Sequence, residues 1–437
     1  MNYFIHTYGC QMNIHDSEKI AGMLKSLGYN ECDSVENADV VVFNTCCIRE
    51  TAEQKIYGHI GQLKKIKQKK PNMLVVVCGC MSQQDGVAES IRKSYPFVDI
   101  VLGTSNLAML KDAIVAARKR KKTVNTEFCN YSEEEFEQYR TSYPNAWVNI
   151  NYGCNNFCTY CIVPYVRGRE HSRPLDNVLS EVKALLQEGY KEITLLGQNV
   201  NSYGKDLEPQ VTFATLLHEI GKLDWKFRLR FMTSHPKDLS DEVIDAVSAH
   251  KNICNNIHLP VQSGSTEILR RMNRRYTRED YLALIDRIRK KIPDVGITTD
   301  IMVGFPEETQ EDFLDTLDLV RRAEFSSAFC FVYSRRKGTP AYSMKQIPYA
   351  VKKDRITRLL ACQNEVTKKI SAEMVGKRYE VLVEGENFRY QNTMCGRIES
   401  GRLVNFKCEN TLIGQFVTVE IERATSATLW GKVVTED

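Results

Sequence analysis

Three cysteines, Cys154, Cys158 and Cys161, stand within eight residues in YGCNNFCTYCIVPYVRGRE, spaced CxxxCxxC with an aromatic residue before the second and the third. A structural zinc site wants a fourth Cys or His to close its tetrahedron, and the flanking residues offer none before His171. Three thiolates suit instead a [4Fe–4S] cube in which three irons are held and the fourth stays open to another ligand. The motif follows an apolar run, WVNINY, so it is expected at the C-terminal edge of a strand, where βα barrels build their active sites.

A chain of 437 residues exceeds one hydrophobic core and predicts two or three domains. No stretch approaches the roughly 18 consecutive apolar residues of a membrane span, and MNYFIHTYGC lacks the charged and apolar regions of a secretory signal. The expectation is a cytoplasmic protein with no membrane partner. In that reducing compartment the fifteen cysteines do not read as a disulfide framework, so close clusters among them point to metal or catalysis. The net charge of +4 does not by itself imply a nucleic acid. Positive charge is bunched, however, in LKKIKQKK, AARKRKK and RRMNRRYTR, the last with Arg271, Arg274 and Arg275. Each run alone also fits a solvated helix face.

Residues 1–122 alternate short apolar runs with helical patterns, one of them from Asp16 to Leu27, which predicts an α/β fold with a parallel sheet of Rossmann type. An acidic, polar stretch, 123–145, reads as a linker. From 146 to 373 six strand candidates (WVNINY, EITLLG, FRLRFM, NNIHLP, GITTDIMVG, SSAFCFVY) alternate with helices and predict a (βα)6 partial barrel. From 374 to 437 short alternating strands (RYEVLVEGE, RLVNFKC, QFVTVEIERA, LWGKVV) predict a small β-barrel. In the first domain Cys10, Cys46 and Cys80 each follow a strand, so parallel pairing brings them together at one sheet edge. A second open-sited cluster is inferred there. Cys47 and Cys78 are competitors, and Cys78 is expected to face the interior.

The CxxxCxxC spacing resembles the signature of the radical S-adenosylmethionine superfamily. TYGCQMNIHDSE, FNTCCIRETAEQK, CGCMSQ, GCNNFCTYCIVPYVRGRE, LLGQNVNSYG, RFMTSHP, HLPVQSGS, RRMNRRYTRE and DIMVGFPEET are similar, in order, to the blocks of the methylthiotransferase family. TYGCQMN resembles the branch that makes 2-methylthio-N6-isopentenyladenosine in tRNA. The resemblance implies a radical barrel followed by a TRAM domain, and two [4Fe–4S] clusters, on Cys154, Cys158 and Cys161 and on Cys10, Cys46 and Cys80. It implies S-adenosylmethionine as source of both radical and methyl group, and sulfur insertion at C2 of an adenine next to the anticodon. An unactivated aromatic C–H explains the need for a radical. Two positions depart from the family pattern: Glu307, where glycine is common, and His171, where arginine is common. His171 is then a neutral surface residue or an RNA contact.

With that implied cofactor, Gln198, Ser234, Gln262, Ser263, Asp300 and Gly304 stand at barrel strand ends suited to S-adenosylmethionine, and Tyr160 lies where it could flank the adenine. The implied partners are the anticodon stem-loop of tRNA and an electron donor such as flavodoxin or ferredoxin, with the enzyme a monomer. Phe388, Tyr390, Phe406 and Trp430 are candidates to stack on bases. The alternatives are action on threonylcarbamoyl-adenosine tRNA, action on a ribosomal protein, and two non-enzymes: an iron–sulfur electron carrier or scaffold, and a zinc-stabilised RNA-binding protein.

Overall fold

The computed structural model describes residues 1–47, 50–129, 138–408 and 412–434. The acidic run at 130–137, read as part of a linker, lies outside the described residues. Two compact units make up the chain: Met1–Thr141 with Tyr152–Glu170 and Arg336–Tyr342, and Ser142–Asn151 with His171–Arg335 and Ser343–Asp437. By its contacts the cysteine loop, Tyr152–Glu170, groups with the first of these units.

That unit is a three-layer α/β fold. Its strands are β1 (Asn2–Thr7), β2 (Asn30–Glu31), β3 (Val40–Thr45), β4 (Leu74–Gly79), β5 (Ile100–Leu102) and β6 (Thr123–Asn125), all parallel in the order β2-β1-β3-β4-β5-β6. VVVFNT and LVVVCG are buried at every position, as central strands covered on both faces must be. Helices α1 (Gln11–Ser26), α2 (Glu50–Lys69), α3 (Val87–Ser94) and α4 (Leu110–Arg118) cover the sheet. Ile56 and Ile60 of α2 pack with Val41, Phe43, Val75 and Val77, while Ile20, Leu24 and Ile114 pack with Val40, Val42 and Val76 on the opposite face. Two boundaries differ from expectation. α1 begins at Gln11 rather than near Asp16, because its first turn lacks apolar periodicity. Thr123–Asn125 is an edge strand paired to β5 rather than linker, too short to show alternation.

The second unit holds β7 (Asn145–Asn149), and the two-residue strands β8 (Asn151–Tyr152) and β9 (His171–Ser172) follow in sequence. Then come β10 (Glu192–Leu196), β11 (Arg228–Phe231), β12 (Asn256–His258), β13 (Gly296–Val303) and β14 (Ser327–Val332). All six expected barrel strands are present, as parallel sheets β11-β10-β7 and β12-β13-β14 joined by a Leu229–Ile253 bridge. The final strands β15 (Arg378–Glu386), β16 (Met394–Arg397), β17 (Leu403–Lys407), β18 (Phe416–Ala424) and β19 (Leu429–Val433) close as β15-β16-β17-β19-β18. The sequence reading missed β16, four residues interrupted by Gly396.

This small barrel is not a loose tail. Buried Arg228 donates to Glu380 O at 2.8 Å, and buried Arg230 donates to Glu399 O and Ile398 O at 2.8 and 2.9 Å. Cutting it away would strip buried Arg228 of the carbonyls it donates to and leave Arg230 with Glu192 alone.

Candidate active site

Parallel pairing of β1, β3 and β4 puts Cys10, Cys46 and Cys80 on adjacent loops at the carboxyl edge of the sheet. Hydrogen bonds stitch those loops together. Tyr8 N–H donates to Asn44 O and Cys80 N–H to Thr45 O, both at 2.9 Å. Asn13 Nδ2 donates to Tyr8 O at 2.7 Å and to Thr45 O at 3.0 Å. Gly9 is left-handed at φ +115°, and a Cβ there would sit 2.5 Å from Cys46 Cβ and 2.8 Å from its Sγ. Only glycine allows that approach. Cys10 caps the start of α1, whose first turn has no acidic side chain, so the positive end of the helix is left for an anionic ligand set.

Cys78, within β4, is fully buried in the core with Val40, Val42 and Val76, and burial pushes its thiol far up. Cys47 is less of a bystander than expected. Its thiol donates to Cys80, and that bond, followed by the Arg167 guanidinium, holds Cys80 down to about 6 against the opposing effect of burial. A thiol so poised is suited to metal.

The barrel triad sits on one loop. Gly153 is left-handed, and a Cβ there would lie 2.0 Å from Arg169 O. Cys154 N–H donates to Gly168 O at 3.1 Å and Cys161 N–H to Cys158 O at 2.9 Å. Phe157 meets Tyr165 edge-on at 6.0 Å, with the Arg169 guanidinium 4.7 Å from its centroid. Helix α5 (Val163–Val166) follows, and Ile162 and Val166 enter the same core as Phe43 and Val77. Burial pushes the Cys154 thiol up to about 11, a proton that metal binding would displace. Among the described residues no three His, Cys, Asp or Glu side chains converge on one metal ion. A cluster does not ask for that, since each thiolate binds a different iron, and three cysteines are the donor set it takes.

In the second unit Gln198, Ser234 and Gln262 follow β10, β11 and β12. Gln198 Oε1 and Ser234 Oγ are buried without a partner among the described residues, as expected of groups awaiting a polar ligand. Gln262, left-handed at φ +73°, donates its N–H to Asp300 O and accepts from Met302 N–H, both at 2.8 Å. Asp300 lies within β13, with Oδ2 3.7 Å from His258 Nε2. Gly304 N–H donates to Glu308 Oε2 at 2.8 Å, and Arg355 holds that carboxylate at 2.6 Å. Glu308 and Arg355 escaped the sequence reading because 47 residues separate them. Ser263 is a correction. It is fully buried, its hydroxyl accepts from Ser265 N–H at 3.2 Å and lies 3.5 Å from that of Thr316, so it supports the loop rather than a cofactor. Tyr160 is half-buried in the N-terminal unit.

The RNA candidates also sort. Phe406 is 1% exposed in the small barrel's core and offers no face to a base. Arg274 is buried and donates to Pro260 O at 2.6 Å, and Arg271 pairs with Glu267 and Glu307, whereas Arg275 is exposed. Glu307 is left-handed at φ +63°, which is why glycine suits that position, and its ion pair with Arg271 offsets part of the strain. His171 is half-exposed, 3.6 Å from Asp206. Phe388 is 97% exposed. With Tyr390, Trp430, Arg389 and Arg423 it lines a groove of about 690 Å³, in which the Arg423 guanidinium lies 5.1 Å from the Trp430 ring.

The chain matches the Uncharacterized protein family UPF0004 over residues 2–103, the Radical SAM superfamily over 148–320 and the TRAM domain over 372–434. It is 52% identical over 436 residues to the tRNA-2-methylthio-N(6)-dimethylallyladenosine synthase of Clostridium tetani (strain Massachusetts / E88), with 99% of this chain and 96% of that one covered. The chain belongs to this family. The synthase of the same description from Acetivibrio thermocellus is 50% identical over 435 residues, covering 99% and 91%. Membership makes the chain a radical S-adenosylmethionine methylthiotransferase of tRNA, with iron–sulfur clusters and S-adenosylmethionine as cofactors. The dimethylallyl group is the isopentenyl group of the sequence reading, so the threonylcarbamoyl and protein-substrate alternatives fall away. The radical S-adenosylmethionine methyltransferase TsrM from Kitasatospora setae shares the fold at 13% identity and TM-score 0.59, covering 78% of this chain and 74% of that one. The cobalamin-dependent S-adenosylmethionine radical enzyme OxsB does so at 12% identity and TM-score 0.56, covering 84% and 56%. No helix among the described residues is long and apolar enough to cross a membrane.

Proposed function

We propose that the two triads divide the reaction: Cys154, Cys158 and Cys161 hold the cluster that generates the radical, and Cys10, Cys46 and Cys80 hold an auxiliary cluster for sulfur. When bound, the clusters and S-adenosylmethionine supply a carbon radical that takes hydrogen from adenine C2, together with the sulfur and methyl of the product. The observation that carries this reading is the gathering of three separate loops around Cys10, Cys46 and Cys80, which the packing of a sheet does not require. Gln198 and Ser234 bind polar groups of S-adenosylmethionine, and Asp300, beside His258, adds an acceptor. Gln262 and the Gly304 turn, clamped by Glu308 and Arg355, shape that edge.

Phe329 supplies specificity. Its neighbours Ala328, Cys330 and Val332 pack toward the helices, so Phe329 projects to the other face of β14, in register with Asp300 and 56% exposed. An apolar ring there receives the dimethylallyl group, while a polar threonylcarbamoyl would be buried unpaired. Phe388, Tyr390, Trp430 and Arg275 contact the anticodon stem-loop. The enzyme works as a cytoplasmic monomer reduced by a small carrier of the flavodoxin or ferredoxin class.

Single turnover under anaerobic conditions with matched tRNAs tests the substrate assignment. Methylthio product is expected with dimethylallyl-adenosine tRNA, and a preference for threonylcarbamoyl-adenosine tRNA would overturn the role given to Phe329.

A further inference from the structure

Arg167 lies on the loop that carries Cys154, Cys158 and Cys161, yet its guanidinium serves the other triad. It is 3% exposed. Nε donates to Cys80 Sγ at 3.3 Å, and Nη2 donates to Asp16 Oδ2 at 2.8 Å and to Asn13 Oδ1 at 2.9 Å. Asn13 and Asp16 stand in the first turns of α1, directly after Cys10. Asn13 also bonds to the carbonyls of Tyr8 and Thr45, next to the Cys10 and Cys46 loops. One buried side chain is thus tied within two hydrogen bonds to all three loops of the auxiliary triad.

Desolvating an arginine and a carboxylate is expensive, and hydrophobic residues of similar volume would fill such a space at least as stably. Packing therefore does not explain Arg167. An N–H aimed at a cysteine sulfur does have a chemical use: hydrogen bonds to the sulfurs help set the reduction potential of an iron–sulfur centre, and partners behind the ligands fix their orientation.

We propose that Arg167 is a positioning residue of the auxiliary cluster, fixing Cys80 through an N–H···S hydrogen bond and raising that cluster's reduction potential. The inference rests on Cys80 being a cluster ligand. One-electron reduction adds a negative charge to the cluster and its thiolates, and a cationic donor at the sulfur stabilises that reduced form. Asp16 holds the guanidinium in place and keeps the buried charge balanced.

The test uses the full chain with Cys154, Cys158 and Cys161 all changed to Ala, so that any cluster present is the auxiliary one. Arg167→Gln is compared with the Asp16→Asn/Arg167→Gln pair, which removes both buried charges together and protects against misfolding. Iron content and midpoint potential, followed by electron paramagnetic resonance, are the readouts. About four irons per chain are expected to remain, with the potential shifted to more negative values in both variants. Loss of iron from the charge-balanced pair at an unchanged melting temperature would also bear out the positioning role. A potential equal to the parent's in both overturns the proposal. Cys80→Ala in the same background separates the two levels of argument. If it keeps its iron, Cys80 is not a ligand; if it loses iron while the Arg167 variants keep the parent's potential, only the role of Arg167 falls.

Discussion

The two cysteine triads are built by opposite routes. One is written in eight consecutive residues on a single loop, closed by Gly153 against Arg169 and anchored by Ile162 and Val166. The other is spread over 71 positions from Cys10 to Cys80 and exists only because β1, β3 and β4 are neighbours in a parallel sheet. A local triad depends on its own turn. A distributed triad depends on sheet register, on Gly9 and on side chains such as Asn13 that join loops.

The largest expected effect comes from removing the local triad. Protein reconstituted anaerobically should bind about eight irons, and the Cys154→Ala, Cys158→Ala, Cys161→Ala combination about four, with formation of 5′-deoxyadenosine lost. Complete loss of iron, or none, would break the division into two sites.

Next is the distributed triad. Cys10→Ala, Cys46→Ala or Cys80→Ala should abolish methylthio product while 5′-deoxyadenosine is still formed. Loss of cleavage in a folded variant would show that the triads do not act separately. Cys78→Ala should retain product, at a stability cost of about 1 kcal/mol for lost packing. Cys47→Ala should fall between the two, because Cys47 donates to Cys80.

Substitutions outside both triads sharpen the comparison by leaving iron unchanged. Phe329→Ala is expected to lower kcat/KM for dimethylallyl-adenosine tRNA by roughly 10- to 100-fold, the worth of a few apolar groups in a pocket. Trp430→Ala and Phe388→Ala should weaken tRNA binding by about 1–3 kcal/mol per lost base stack. These point changes are preferred to deleting the small barrel, which would strand Arg228 and take two carbonyl partners from Arg230.

The smallest effect is on stability against pH. Burial, and then repulsion from Arg274, pushes the His235 imidazole down to about 2, whereas the unfolded chain titrates near 6.5. The unfolded state therefore takes the proton first. This residue's contribution is full above about pH 6.5 and declines as pH falls toward 2, by at most about 1.4 kcal/mol per unit. Melting temperatures between about pH 7.5 and about pH 5 should fall less steeply in His235→Gln. Equal slopes would remove His235 as the cause, and iron binding by either triad should be the same in variant and parent.

The amino-acid sequence by itself determined most of the strand and helix order, the spacing of the local triad and the loop positions of Cys10, Cys46 and Cys80, because apolar periodicity and loop position act over short range. It could not place Ser263, Phe406 or Arg274, whose types suit either a site or a core and whose burial depends on neighbours far along the chain. Nor could it show that the Cys154–Cys161 loop packs into the N-terminal unit, or that Arg167 crosses 87 positions to reach Cys80. A guanidinium in RGRE looks like any other surface charge until the fold removes water from it. Tertiary structure decided which polar groups lost their solvent, and with it which had to find a partner.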